Sequence, residues 1–318
     1  MLARSTAADF RDVRGRYFRR AVGLWIIGLL HAVFLFFGDI LMLYAVLSLI
    51  VWVFRQKSNR FLLSCAIGAF LVGVVSQTVV LLPQWMELPE GEAAANSVGS
   101  GFEGTFMDAM HERLMLLPIA MVFVMFFNGP VACALFFLGF LAGRRGIFPL
   151  ASGMLQRLRR PAAAAFALGL AMSGASAFLF VDRDYSEMTP FVLAGVGLGL
   201  GAPLMAFGIA IGVLCWAEHA AGGWLAGCLA TVGRMSLTGY IMHSVLLGFI
   251  FYGWGLGWFG KVDQLGVIVV AFIVFAVIAM ILTLWSRWFR YAPDEWLLRS
   301  FIDLKWKPLR VRNLRRSI

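Results

Sequence analysis

Charged residues are scarce in this sequence: Asp, Glu, Lys and Arg together make up only 14% of its 318 residues. Soluble globular domains carry about 25% charged residues. Hydrophobic residues reach 61%, and the mean hydropathy is +0.85. Because a chain this apolar cannot hide its hydrophobic surface in one water-soluble core, it needs lipid as its solvent. The composition excludes an ordinary soluble domain and predicts an all-α, polytopic transmembrane helical bundle.

Cysteine is also rare, and the sequence lacks the short motifs of common catalytic and metal sites. The four cysteines stand in apolar surroundings without metal-ligand spacing: Cys65, Cys133, Cys215 and Cys228. We interpret them as small packing residues. No P-loop, Gly-x-Ser-x-Gly or His-Glu-x-x-His pattern occurs in the context that it requires. The sequence therefore predicts neither a metal site nor a cofactor.

The net charge of +10 does not indicate nucleic-acid binding. The basic residues lie in short blocks between apolar runs, whereas a nucleic-acid-binding protein gathers them on one face. Short basic blocks beside apolar spans are typical of the positive-inside rule and of contact with anionic lipid headgroups. The predicted partner is the lipid bilayer, and no nucleic acid is expected.

Apolar stretches long enough to cross a bilayer recur along the chain. A crossing helix needs about 20 apolar residues. The sequence offers about eight such stretches, at residues 21–38, 40–54, 61–82, 114–142, 162–181, 191–216, 235–254 and 265–286. The predicted organisation is a basic N-terminal segment (1–20), a transmembrane bundle (21–286) and a basic tail (287–318).

The charges between the stretches predict the orientation. Basic residues fill the N-terminal segment, the connections at 55–60 and 144–160, and the tail. Acidic residues dominate the alternate connections, at 39, 87–112, 182–187 and 263. Since every basic block falls on one side if each stretch crosses once, the positive-inside rule places both termini in the cytoplasm. We expect a multi-pass protein of the bacterial inner membrane without a cleavable signal peptide.

Three segments allow more than one interpretation. The stretch 114–142 contains Asn128-Gly129-Pro130, which favours either one kinked helix or a helix broken in two. The glycine-rich segment 219–233 is interpreted as interfacial and cytoplasmic; the alternative, a further crossing, would put the basic tail outside, which the positive-inside rule disfavours. The polar connection 83–110 is longer than most and is either a periplasmic lid or a disordered loop.

Ionisable residues inside the spans are the candidates for function, because they are expensive to keep in hydrocarbon. His31 lies eleven residues beyond Arg20, ~16 Å along a helix, and His243 lies nine residues beyond Arg234, ~13 Å. Both are predicted near the midplane, with Asp39 closer to the periplasm. A histidine there can act as general base, oriented by a carboxylate.

Structural roles are the competing interpretations of the same residues. Tyrosine and serine partners inside a bundle would satisfy His31 or His243 without any chemistry. Asp39 stands just before the stretch at 40–54 and would cap its helix. A haem held by the two histidines is geometrically conceivable, but no further signal supports it.

Three blocks of the sequence resemble one bacterial family. The first comprises residues 16–20, Gly-Leu-Leu-His at 28–31 and Gly-Asp-Ile-Leu at 38–41, followed by Tyr-Ala at 44–45. The others are Gly-Arg-Met-Ser-Leu-Thr-Gly-Tyr at 233–240 and Ala-Pro-Asp-Glu-Trp-Leu-Leu-Arg at 292–299. In this order they resemble the YeiB family, whose DUF418 domain would cover about 145–305.

The chain departs from that family's pattern in several places. Members normally begin with one or two further spans and an Asp-x-x-Arg-Gly block, which nothing here matches. Gly239 stands where Asn is usual, His243 where Gln is common, and Ala292 where the closing motif has Gly.

The resemblance implies a distant similarity to membrane acyltransferases, which move acyl groups onto polar acceptors. It implies catalytic roles for His31 and Asp39, substrate-binding roles for Arg234, Tyr240 and His243, and acyl-CoA as donor. The alternatives are a small-solute transporter or permease, in which the same histidines would line a path, and a non-catalytic membrane scaffold. The donor, the acceptor and the oligomeric state stay open.

Overall fold

The computed structural model of the chain describes residues 10–85, 100–146, 152–181, 189–220 and 222–310. Parts of three predicted segments lie outside these ranges. They are the first nine residues of the basic N-terminal segment, positions 86–99 of the 83–110 connection and the last eight residues of the basic tail. The acidic connection at 182–187 lies outside them as well.

The described residues form eleven α-helices and no strand, apart from an isolated bridge between Phe289 and Arg310. A 3₁₀ turn, Ser100–Glu103, precedes the fourth helix. The helices are α1 Phe10–Phe34, α2 Leu41–Phe54, α3 Asn59–Trp85, α4 Phe106–Phe127, α5 Gly129–Arg144, α6 Ser152–Val181, α7 Thr189–His219, α8 Trp224–Arg234, α9 Ser236–Phe251, α10 Gln264–Trp285 and α11 Pro293–Asp303. The predicted all-α class is confirmed.

Six of these helices are long and apolar enough to cross a membrane, namely α1, α3, α4, α6, α7 and α10. The pair α8 and α9 adds a seventh if it forms one span bent by 85°. Helices α2 and α5 are apolar but shorter, and the 14 residues of α2 rise only about 21 Å. The protein is a multi-pass membrane protein, in which some of the eight predicted stretches are shorter helices.

The two uncertain apolar segments contain helix breaks. The stretch 114–142 is divided into α4 and α5 at Asn128, where Pro130 occupies the first turn of α5. A proline is favourable there because the first-turn N–H groups have no partner within the helix. Helix α4 begins at Phe106, eight residues before the predicted stretch. Part of 219–233 forms α8, which ends where the chain bends at Met235.

The chain divides into two compact units. The first unit consists of residues 1–10, 46–92 and 122–221, and the second of 11–45, 93–121 and 222–318. The division falls inside α2, after Ala45, and inside α4, after Met121.

Glycine brings the helices of the first unit close together. A Cβ atom on Gly195 of α7 would lie 2.5 Å from Thr78 Cα of α3, and one on Gly201 would lie 2.6 Å from Ser173 Oγ of α6. On α3, a Cβ at Gly73 would meet Val131 of α5. Close approach through glycine is the usual way in which helices associate in lipid. The glycines of α7 at these contacts thus serve close helix packing.

The second unit has an apolar core of its own, and polar contacts also join its helices. Residues of α9 and α10 pack around Met235, Ile278 and Leu282, all at most 2% exposed. Arg16 of α1 forms an ion pair of 2.8 Å with Asp303 at the end of α11. These contacts connect the N-terminal and C-terminal helices of the unit.

Candidate active site

A buried carboxylate–imidazole pair lies at the end of α1. His31 stands three residues before the end of the helix, and its Nδ1 lies 2.9 Å from Asp39 Oδ2. His31 is 3% exposed and Asp39 is fully buried. The pair is therefore shielded from bulk solvent, where a charged hydrogen bond is stronger than at a surface.

The local sequence explains how these two residues meet. Helix α1 ends at Phe34, the next four residues form a turn, and Asp39 then opens α2. Asp39 Oδ1 accepts a hydrogen bond of 3.0 Å from the backbone N–H of Met42, so the residue also caps the helix. Asp39 therefore has both predicted roles. Its Oδ1 caps α2, and its Oδ2 pairs with His31.

Gly28 makes room for this arrangement. It lies one turn before His31 on the same face of α1. A Cβ at this position would lie 2.5 Å from Asp39 Oδ1 and 2.9 Å from the backbone nitrogen of Met42. The Gly-Leu-Leu-His block thus combines the imidazole with the gap that admits its carboxylate partner.

Helix α9 supplies the other side of the cluster. Ser244 Oγ lies 2.8 Å from His31 Nε2, and Tyr240 donates a hydrogen bond of 3.2 Å to Asp39 Oδ2. Tyr240 and Ser244 are four residues apart and so share one face of α9. The Tyr240 ring also packs against the imidazole, with 4.7 Å between ring centroids.

The hydrogen bonds determine which ring nitrogen carries the proton. A carboxylate accepts only, so Nδ1 of His31 donates to Asp39. In the neutral tautomer that follows, Nε2 is an acceptor, and the Ser244 hydroxyl donates to it. The result is an Asp39–His31–Ser244 series, in which a carboxylate orients an imidazole and the imidazole accepts the proton of a hydroxyl. Serine nucleophiles are activated by the same arrangement in unrelated folds.

The structure brings together three of the five predicted site residues. His31, Asp39 and Tyr240 belong to the cluster, with Tyr240 holding the carboxylate. His243 instead donates to Gly239 O on its own helix, at 2.7 Å, and its ring lies 6.3 Å from that of Phe275. Its partner is thus a backbone carbonyl, and not the tyrosine or serine that the structural interpretation expected.

The fifth predicted residue, Arg234, is exposed at the end of α8, just before the 85° bend. The substrate-binding roles of Arg234 and His243 stay predictions.

Ser244 is the residue that sequence reasoning missed. It directly follows His243, which drew attention as the ionisable residue of the span. The helical spacing from Tyr240 was the available signal, since it places both hydroxyl groups on one face. A second missed residue, Glu295, accepts hydrogen bonds from the N–H groups of Leu237 and Thr238 and from the Thr238 hydroxyl.

Glu295 thereby secures the first turn of the helix that carries Ser244. Its Oε1 lies 2.7 Å from Leu237 N and 3.1 Å from Thr238 N, two of the backbone donors that a helix start leaves unpaired. The contact joins the 233–240 block to the 292–299 block. The two C-terminal motifs of the sequence are thus one structural feature, which fixes the position of α9.

Metal binding was not predicted, and the cluster itself offers only two metal-ligand side chains, His31 and Asp39. Within the described ranges no three His, Cys, Asp or Glu residues are grouped so that they could hold an ion.

Comparison with known proteins agrees with the resemblance seen in the motifs. The chain is 27% identical over 307 residues to uncharacterized protein YxaH of Bacillus subtilis (strain 168), covering 92% of this chain and 73% of the relative. It is 25% identical over 298 residues to uncharacterized protein YeiB of Escherichia coli (strain K12), covering 87% and 73%. No solved structure matches the chain. The model of the family described as DUF418, a protein of unknown function, matches residues 142–305, slightly more than half of the chain. The chain therefore belongs to the DUF418 family, as its YeiB-like motifs indicate.

Proposed function

We propose that this protein is a membrane acyltransferase that moves an acyl group to a hydroxyl of a polar acceptor. The observation that supports this proposal is the buried Asp39–His31–Ser244 series, with distances of 2.9 and 2.8 Å. His31 is the general base, Asp39 orients it, and Ser244 is the hydroxyl that it activates.

The first step transfers the acyl group to the protein. The Ser244 hydroxyl gives its proton to His31 Nε2 as Oγ attacks the acyl carbonyl carbon. A bond from Oγ to that carbon forms, and the carbon–sulfur bond of the thioester donor breaks. The leaving thiolate takes the proton back from Nε2 and departs as a thiol. Asp39 stabilises the imidazolium that exists between the two proton transfers.

The second step releases the acyl group to the acceptor. An acceptor hydroxyl gives its proton to Nε2 and attacks the acyl-serine carbonyl. The bond from that carbon to Ser244 Oγ breaks, and Oγ regains the proton from His31. Both half-reactions use the same imidazole, so a single histidine serves as base and then as acid.

The donor proposed from the sequence is acyl-CoA, an anionic molecule of the cytoplasm. The basic connections and Arg234 would attract it if both termini lie in the cytoplasm of an inner membrane. Arg234 is exposed, which is compatible with this long-range role. The topology can be tested separately by fusing a reporter to each terminus.

The experiment looks for the acyl-serine itself. The purified chain in dodecyl maltoside is incubated with radiolabelled acetyl-CoA or palmitoyl-CoA, then quenched, digested and analysed by mass spectrometry. We expect label on the peptide that contains Ser244, and none in Ser244→Ala. His31→Gln and Asp39→Asn should slow labelling by roughly 10²- to 10⁴-fold, the usual contribution of general-base catalysis. Ser236→Ala is the matched control, because Ser236 is an exposed serine of the same helix.

A non-catalytic role is the second candidate, and one observation favours it. Both ring nitrogens of His31 already have partners within the protein. The cluster is therefore also compatible with a purely structural role, in which its hydrogen bonds hold α1, α2 and α9 together. If the wild-type protein is never labelled and consumes neither thioester, acyl transfer from these donors is contradicted. That result would support the structural role.

A further inference from the structure

Arg113 is a buried cation without a counterion. It lies in α4, is fully buried and is among the largest fully buried side chains of the protein. Its Nε donates a hydrogen bond of 3.2 Å to Val33 O of α1. Neither Nη1 nor Nη2 has a hydrogen-bond partner, and no ion pair to Arg113 is formed by any residue that the structure describes. Four of its five N–H donors therefore make no hydrogen bond of normal geometry.

Two aromatic rings lie beside the guanidinium, and the Tyr252 hydroxyl is close enough to interact with it but is neutral. Its central carbon lies 5.6 Å from the ring centroid of Phe106 and 5.5 Å from that of Tyr252. Cation–π contacts of this kind stabilise a charge only in part. A second unused donor lies beside the same ring, since Trp254 packs edge-on to Phe106 at 5.6 Å and its buried Nε1 has no partner.

Burying Arg113 and the Trp254 N–H without acceptors is unfavourable unless a bound group supplies those acceptors. Burying an unpaired charge is far more expensive than burying a hydrogen-bonded pair. The neighbouring carboxylates do not form an ion pair with Arg113. Glu103 and Asp108 are exposed, and Asp108 accepts from Thr105 instead. Glu112 is half-buried, but it is not within ion-pair distance of Arg113 either. All the unused groups are donors, so the missing component must bring acceptors and negative charge.

We infer that Arg113 and Trp254 form a binding site for an oxyanion group, a phosphate or a carboxylate. The planar fork of an arginine fits two oxygens of such a group side by side. Val33, which fixes Nε, is two residues from His31, about 3 Å along the axis of α1. The bound group would belong to a molecule at the same end of α1 as the cluster. This inference is independent of the proposed acyl transfer, because its only premise is that buried hydrogen-bond donors lack partners.

The test measures binding and not turnover, so that it can fail independently of the proposed function. Thermal unfolding of the chain in dodecyl maltoside is followed by tryptophan fluorescence while sodium phosphate, sodium acetate or phosphatidylglycerol is titrated. Sodium chloride at equal ionic strength is the reference. At 100 times its Kd, one of the three oxyanions should raise the Tm by roughly 5 °C. If only phosphate or acetate raises the Tm, the ligand is a soluble anion. If only phosphatidylglycerol raises it, the ligand is a lipid headgroup.

The variants decide whether Arg113 is responsible. Arg113→Met should abolish the response, and Arg113→Lys should weaken the affinity by about tenfold or more, since it keeps the charge but loses the fork. Arg290→Met is the matched control, because Arg290 also lies over a tyrosine ring, at 5.5 Å, yet is exposed. It should respond like the wild type. The inference is overturned if no oxyanion stabilises the wild type or if Arg113→Met still responds. Should Arg113→Met not fold, an unchanged affinity in Arg113→Lys overturns it.

Discussion

The two units of this protein bury different kinds of residue. Every buried ionisable side chain among the described residues belongs to the second unit: His31, Asp39, Arg113 and Glu295. The polar residues that the first unit buries are the neutral Gln77 and Ser176. Several helices of the first unit approach through glycine, and buried charged and hydroxyl groups join helices of the second unit. The comparison indicates that the first unit is built mainly by apolar packing and that the candidate site lies in the second unit.

The difference has an energetic consequence. A glycine contact gains only dispersion energy and is lost when a side chain is added. A buried charge is stabilised by its partner, and it destabilises the folded state when that partner is removed. The first unit should therefore be sensitive to enlarged side chains, and the second to truncated ones.

The largest effect is expected from removing the imidazole in the second unit. In His31→Ala, Asp39 Oδ2 keeps only the Tyr240 hydroxyl, and a fully buried carboxylate loses its main partner. The expected loss is about 3–5 kcal/mol of the free energy of unfolding. Unfolding by SDS in mixed micelles measures it.

The Asp39→Asn change completes a double-mutant cycle with His31→Ala. Because the amide removes the charge that the imidazole offsets, the double variant should be clearly more stable than the sum of the single losses predicts. Strict additivity would mean that the two residues do not stabilise each other, and the contrast between the units would then rest on Arg113 and Glu295 alone.

The sequence predicted the fold class and three of the four residues of this cluster, with Tyr240 coming from the family resemblance and the rest from physical reasons. Long apolar stretches have few solutions other than helices in lipid. His31 and Asp39 stood out because ionisable groups are rare in such stretches. Their partners Ser244 and Tyr240 lie more than 200 residues away along the chain, and only the folded structure shows that α9 meets α1.

Arg113 illustrates what the sequence pattern hid. The predicted stretch began at 114, directly after this arginine, since a charge normally marks the end of an apolar run. The helix continues back to Phe106, so that Arg113 lies inside it. Apolar composition alone also overestimated one span, since the predicted stretch 40–54 is a helix of only 14 residues, α2. Composition records how apolar a segment is, but the boundary of a helix depends on contacts that the segment makes elsewhere.

A smaller effect is expected from enlarging a glycine in the first unit. In Gly195→Ala the new methyl group would lie 2.5 Å from Thr78 Cα, and a backbone atom cannot move aside without shifting α3. The expected loss is about 1–3 kcal/mol. Gly212→Ala is the matched control on the same helix, because nothing lies within 4 Å of its Cβ position. It should be neutral, or more stable by up to about 1 kcal/mol.

The same glycine variants test the division of roles between the units. At a temperature where Gly195→Ala remains folded, labelling of Ser244 by acyl-CoA should proceed as in the wild type. If the labelling disappears although the protein is folded, the first unit contributes to the chemistry and the comparison fails.

The smallest effect is a pH dependence at the surface of the second unit. The Asp303 carboxylate accepts from Lys307 Nζ at 2.7 Å and pairs with Arg16 at 2.8 Å, and these contacts lower its pKa below the usual value. A lowered pKa in the folded state stabilises the protein above the unfolded pKa, ~3.9 for aspartate. This stabilisation is lost as the pH falls through the folded pKa. The Tm of the wild type should thus decrease more steeply below pH ~4 than that of Asp303→Asn, and the two curves should converge in acid.

Asp12→Asn is the matched control, because Asp12 lies 4.0 Å from the same arginine and is largely exposed. Parallel curves for the wild type and Asp303→Asn would show that the surface pair adds nothing, so that the polar contacts which matter in the second unit are the buried ones.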